Sequence, residues 1–229
     1  MKEKLEAITR ISELIASNMY FEDILKLIVT ITAQVMQSSI CSLMLLDEEK
    51  GVLEVKATQS VSEAYNSKPP LRLGEGIAGR VALEGKPIIV KDVKKDPRYV
   101  NKDIAIKEGL SSLISLPLQV KGKIVGVLNL YTPTLRDFSK EEIRVLTAIA
   151  NQVAVVVENY RLLVESELIK EELEKRKKIE RAKGVLMKEF GIDEDEAYRR
   201  IQRYSMDKQK PMKEVAEAII MAWKLKQKH

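Results

Sequence analysis

The chain has 229 residues, a formal charge of +5, one cysteine and one histidine. That length allows one large domain or two small ones, with enough apolar content for a packed core. A lone Cys41 excludes an intrachain disulfide or a cysteine metal cluster, and a lone His229 leaves no Ser-His-Asp, Cys-His or His-rich set to assemble, so neither catalytic nor metal-binding residues are expected.

The charge is uneven. Residues 176–229 carry 15 Lys and Arg against 9 Asp and Glu, and residues 1–175 carry 24 against 25. A basic C-terminal segment suits a polyanion partner; the plainer alternative is a solvated helical surface. No apolar run reaches the roughly 18 residues of a membrane span, and none of signal-peptide type follows Met1. A cytoplasmic chain with no membrane partner is expected.

In chain order, residues 3–18 read as a helix through Leu5, Ile8, Ile11 and Ile15, and residues 21–36 as a second through Ile24, Leu25, Ile28, Ile31 and Val35. From Ser39 the period changes. Ile40–Leu46 and the alternating Val52–Thr58 predict two strands joined at a Gly-containing turn. Gly74-Glu75-Gly76 leads into a short helix from about Ile77 to Leu83, and Pro87–Val90 is a short strand. Asp92 to Gly109 is polar and reads as irregular. Ser112–Val120 and Lys123–Tyr131 are two further strands around Lys121-Gly122, with Pro117 marking a bulge or an edge.

Phe138-Ser139 opens a long helix, with Ser139 and Glu142 spaced as a capping box. Ile143, Leu146, Ala150, Val153, Val157, Tyr160 and Val164 follow at alternating steps of three and four. This seam predicts a parallel coiled coil and a homodimer, joined by the helix at 3–18. Two shorter helices follow. One places Ala197, Tyr198 and Ile201 on one face, and the other, residues 211–223, carries Val215, Ala216, Ile219, Ile220 and Trp223. With the preceding helix they make a small three-helix bundle. Asp193 to Glu196 reads as an acidic helix start.

The middle segment resembles the GAF domain. The resemblance rests on Gly74-Glu75-Gly76-Ile77-Ala78-Gly79, Pro87-Ile88, Asp96-Pro97-Arg98, Ser112 to Pro117, Lys123 to Leu128 and the helix from Phe138 to Ala154. It implies an antiparallel sheet with helices on one face and a variable pocket on the other. The last 55 to 60 residues resemble the ANTAR domain, the RNA-binding antitermination module of bacterial regulators. Arg176, Ile179-Glu180, Ala182-Lys183-Gly184, Leu186-Met187, Ala197-Tyr198, Ile201, Ser205-Met206, Lys210 and Val215-Ala216 carry that resemblance in order. Gln202 and Met212 depart from it, where the family more often has Arg and Leu. The expected class is thus α+β: a GAF-type antiparallel sheet flanked by helices, then a long coiled-coil helix leading into an all-α three-helix ANTAR bundle. The expected boundaries are 1–19 for an N-terminal helix, 20–160 for the GAF domain, 161–175 for the coiled-coil linker and 176–229 for the ANTAR domain.

Binding RNA requires cations that meet phosphates and small or flat residues that let bases approach. Candidates are Arg176, Arg181, Lys183 and Lys188 with Met187 on the first helix, Arg199, Arg203 and Tyr204 on the second, and Lys210 after it. Ala182 and Gly184 remove bulk beside Lys183, and a mid-helix Gly costs about 1 kcal/mol relative to Ala with no evident structural return. Lys183 is expected to contact RNA directly and not to determine the fold. The resemblance implies a leader transcript with paired short stem-loops, whose binding keeps a terminator from forming. For the GAF segment a small-molecule ligand is expected on the sheet face away from the terminal helices, under the Asp92–Gly109 loop, with Arg98, Tyr99, Asn129 and Tyr131 as liners. The alternative is a space filled by apolar side chains. The expected function is a signal-responsive RNA-binding transcription antitermination regulator. The alternative is a GAF-containing DNA-binding regulator.

Overall fold

The computed structural model describes residues 2–227; His229 lies outside the described residues. By internal contacts the chain divides into two units, Met1–Arg161 and Leu162–His229. No described helix is long and apolar enough to cross a membrane.

The first unit contains α1 (Lys2–Ile15), α2 (Phe21–Val35), β1 (Ile40–Asp47), β2 (Val52–Thr58), α3 (Glu63–Asn66), β3 (Leu71–Arg72), α4 (Gly76–Glu84), β4 (Ile88–Val90), α5 (Lys102–Lys107), β5 (Ser112–Val120), β6 (Lys123–Thr132) and the start of α6 (Lys140–Phe190). The six strands form an antiparallel sheet in the order β3-β2-β1-β6-β5-β4. The strand period of two decides what each face becomes. Cys41, Leu43, Ile114, Leu116, Leu128 and Leu130 point to one side, where Ala7 and Ile11 of α1, the apolar stripe of α2 and Leu146 to Val157 of α6 close the main core. The alternate positions, Ser42, Met44, Leu113, Ser115, Val127, Asn129 and Tyr131, face the other way and are equally buried.

Pro117 sits on β5 beyond the reach of β4, which pairs only with Leu113 to Ser115. Its missing N–H therefore costs no ladder bond on that side. Gly79 packs so closely that an added Cβ would lie 2.3 Å from the Arg72 carbonyl oxygen, which holds α4 against β3. The capping box forms in both directions: the Ser139 N–H donates to Glu142 at 2.9 Å and the Glu142 N–H to the Ser139 Oγ at 3.2 Å.

Three short elements differ from the sequence expectation. Residues 92–109, expected to be irregular, contain α5, and neither α3 nor β3 was anticipated. Each spans too few residues to show a period, and α5 buries only Ala105. The seam expected of the dimer also needs correction. Leu146, Ala150, Val153 and Val157 are buried in their own unit's core and leave nothing for a partner at those positions.

The second unit contains the remainder of α6, α7 (Glu194–Lys208) and α8 (Met212–Lys226). Ala182, Ile201, Val215, Ala216 and Ile220 form its core, with Ile179, Leu186, Met212 and Ile219 packed around them. The Asp193 side chain accepts the Glu196 N–H at 2.7 Å, so the acidic run does cap α7. Tyr198, expected beside Ala197 and Ile201, is exposed. One residue along a helix turns by about 100°, which carries it off the buried face.

Candidate functional site

The face of the sheet away from α1, α2 and α6 holds a small cavity of about 20 Å³, lined by residues that include Tyr65, Lys68, Ile77, Tyr99, Asn129 and Tyr131. Its polar groups are linked. Ser42 Oγ and the Tyr65 hydroxyl lie 2.8 Å apart, the Tyr99 hydroxyl donates to that of Tyr131 at 3.5 Å, and the Ser115 Oγ donates to Asn129 Oδ1 at 2.7 Å. The Tyr131 ring meets those of Tyr65 and Tyr99 edge-on, at 6.0 and 6.2 Å between centroids. Burial raises the pKa of all three phenols, so they stay protonated and can donate.

Of the expected liners, Tyr99, Asn129 and Tyr131 come together here, and Tyr99, Val100 and Asn101 of the Asp92–Gly109 loop do line the space. Arg98 does not line it. Its guanidinium turns to Asp96 at 2.7 Å, a contact favoured because Arg98 also donates its backbone N–H to that carboxylate. Tyr65 and Lys68 escaped the sequence reading. The stretch from Gln59 to Leu71 has no period, and Lys68 is one of 39 cations. Only the folded sheet brings them beneath Tyr131.

In the second unit the candidate cations separate by their partners. Arg176, Arg181, Lys188, Arg199, Arg203 and Lys210 are exposed and form no ion pair among the described residues. Lys188 instead places its ammonium 5.7 Å from the Trp223 ring centroid. Lys183 differs: it is buried, and its ammonium lies 2.7 Å from Glu180 and 2.6 Å from Glu194. Hydrogen bonds to these two carboxylates raise its pKa. Lys183 therefore ties α6 to the start of α7, which corrects the expectation that it is a free cation without a part in the fold.

Ala182 requires the same correction. It is fully buried in the bundle core, so it makes room for α7 and α8 and not for a nucleotide. Gly184 is exposed, and a Cβ added there would meet nothing within 4 Å. Met187 and Tyr204 are exposed too. The candidates do not converge on one cleft. Arg181 lines a groove with Lys177, Lys178, Glu217 and Lys224, between α6 and α8. Tyr204 lines an apolar groove with Leu186, Phe190, Arg200 and Ile219.

The GAF domain family matches this chain over residues 19–158, and the ANTAR domain family matches it over residues 167–220. The chain is 26% identical over 173 residues to the Nif-specific regulatory protein of Azospirillum brasilense, covering 71% of this chain and 27% of that protein. It thus spans about a quarter of that relative's length. It is 34% identical over 154 residues to the transcriptional regulatory protein PdtaR of Mycobacterium tuberculosis, covering 67% of this chain and 63% of PdtaR. Among solved structures, the GAF domain from a phosphoenolpyruvate-protein phosphotransferase of Coxiella burnetii superposes with a TM-score of 0.66 at 23% identity, over 72% of this chain and 98% of that one. That likeness establishes the fold of the first unit.

Proposed function

We propose that this chain, which belongs to the GAF domain family and carries an ANTAR domain after it, is a signal-responsive regulator that binds stem-loop leader RNA and prevents transcription termination. The GAF unit takes an effector on its tyrosine-lined sheet face, and the ANTAR unit contacts the transcript. One observation carries the RNA reading: six of the seven candidate cations keep their charge uncompensated on one small unit, while Lys183 alone is neutralised. Uncompensated Arg and Lys are what a phosphate backbone replaces counterions with. The exposed Gly184 adds a place where a nucleotide can approach backbone.

A duplex-DNA reader would set the first turn of a recognition helix in the major groove. Here the first turn of α7 carries Glu194, Asp195 and Glu196 after an Asp193 cap, which repels phosphate. The test is a titration of a paired stem-loop RNA and a duplex DNA of equal charge at several salt concentrations. The RNA is expected to bind more tightly, with an affinity that falls as salt rises. Preference for the duplex would move the assignment to DNA.

A further inference from the structure

Among the described residues, Lys68 is the only charged one lining the sheet-face cavity. Its ammonium lies 3.5 Å from the Tyr65 ring centroid and 5.4 Å from that of Tyr131. Among the described residues it has no hydrogen-bond acceptor and no ion-pair partner. The carboxylate that acts on it through space, Glu108, is already engaged by the Ser62 hydroxyl at 2.5 Å. A half-buried cation held against aromatic faces with no acceptor is an unfinished interaction, since a charge partly taken out of water gains from a partner. Around it stand neutral groups able to donate: the phenols of Tyr65 and Tyr131, and the amides of Asn101 and Asn129.

We propose that this cavity takes a small, singly charged oxyanion, with a short carboxylate as the type, anchored by the Lys68 ammonium and oriented by the phenol and amide donors. The inference rests on reading the cavity as the effector site. One cation with no acid among the lining residues matches one negative charge; a dianion would leave a charge uncompensated. A space this small, about 20 Å³, limits the occupant to a few non-hydrogen atoms.

Burial lowers the Lys68 pKa to about 7, with Glu108 opposing. The other titratable groups facing it are Tyr65 on α3, Tyr99 on the loop and Tyr131 on β6, all neutral at that pH. An anion beside Lys68 favours its charged form. Binding then draws in a proton wherever free Lys68 is deprotonated, and affinity weakens as pH rises above 7, by up to about tenfold per unit.

The test is calorimetric titration of the full chain with acetate and with its neutral isostere acetamide, at pH 6.5 and 8.5 and constant ionic strength. Lys68→Met is run beside the wild type. Acetate is expected to saturate the wild type, more weakly at the higher pH and with proton uptake there. Acetamide is expected to bind at least tenfold more weakly, and Lys68→Met to lose acetate binding while still melting cooperatively. Equal binding of both compounds overturns the anion assignment and leaves the cavity as a site for a neutral effector, and acetate binding that survives Lys68→Met overturns Lys68 as the anchor. Binding of neither compound, with Lys68→Met melting higher and RNA affinity unchanged, overturns the effector-site reading itself.

Discussion

The tripeptide Ala182-Lys183-Gly184 shows how three adjacent residues divide between fold and function. Ala182 is core, Lys183 is a strut between α6 and α7, and Gly184 alone opens to solvent. Lys183→Met should destabilise the fold by about 1 kcal/mol, because both carboxylate partners are exposed, which lowers the melting temperature and changes RNA affinity per folded molecule little. Gly184→Ala should act in the opposite direction. It gains about 1 kcal/mol of helix propensity because no neighbour obstructs the methyl, yet it should weaken RNA binding. Melting and RNA titration on the same two proteins check both; unchanged RNA affinity in Gly184→Ala would remove that position from the interface. A third residue reports on acid stability. Glu48 accepts hydrogen bonds from Arg161 and Lys123, which bring its pKa from 4.5 to about 2. A depressed folded pKa stabilises above the unfolded value, so this contribution is complete above pH 4.5 and is lost as pH falls towards 2. All three groups are more than a third exposed, so Glu48→Gln should remove only about 0.5 kcal/mol of it, read as a shallower acid limb in melting against pH.

At the scale of elements, α6 carries two apolar stripes, and the seam expected from the sequence runs mainly along the buried one. Leu146, Ala150, Val153 and Val157 pack into the first unit's own core. A second set, Val155, Leu162, Ile169 and Leu173, falls at steps of seven, seven and four and is exposed throughout. Tyr160 stacks on Phe21 at 4.0 Å, which closes the first stripe against α2. Residues 162–175 are exposed along their whole length, and an isolated helix of that size is marginal in water. We therefore assign the second stripe, and not the first, to the proposed coiled-coil dimer. Light scattering at micromolar concentration should give twice the chain mass, and Ile169→Lys should give the single mass. Amide exchange in residues 162–175 should be slow in the dimer and fast in that variant. A wild-type monomer with fast exchange would dismiss the dimer. The capping box at Ser139 and the Asp193 cap were legible because a cap is set by neighbours three residues apart. The short α3, β3 and α5 were not, because a few residues cannot display a period.

For the whole molecule, separate cores predict separate melting. Calorimetry of the full chain should resolve two transitions, with stem-loop RNA raising one and acetate the other, because a ligand stabilises the unit that holds its site. A single transition raised by both would show that the two units unfold together. Much of this protein is determined by sequence alone. Alternating strands, a basic C-terminal segment and two ordered series of motif residues are local or pattern-level signals, and the GAF and ANTAR families match where those series lie. Tertiary structure decided which of the chemically similar groups are free to act. Lys183 looked like the other cations until Glu194 arrived from the next helix, and Lys68 resembled any surface lysine until β6 set Tyr131 beside it. The reason is electrostatic: a charge acts outward only if folding leaves it uncompensated, and its compensating partner can lie anywhere in the chain.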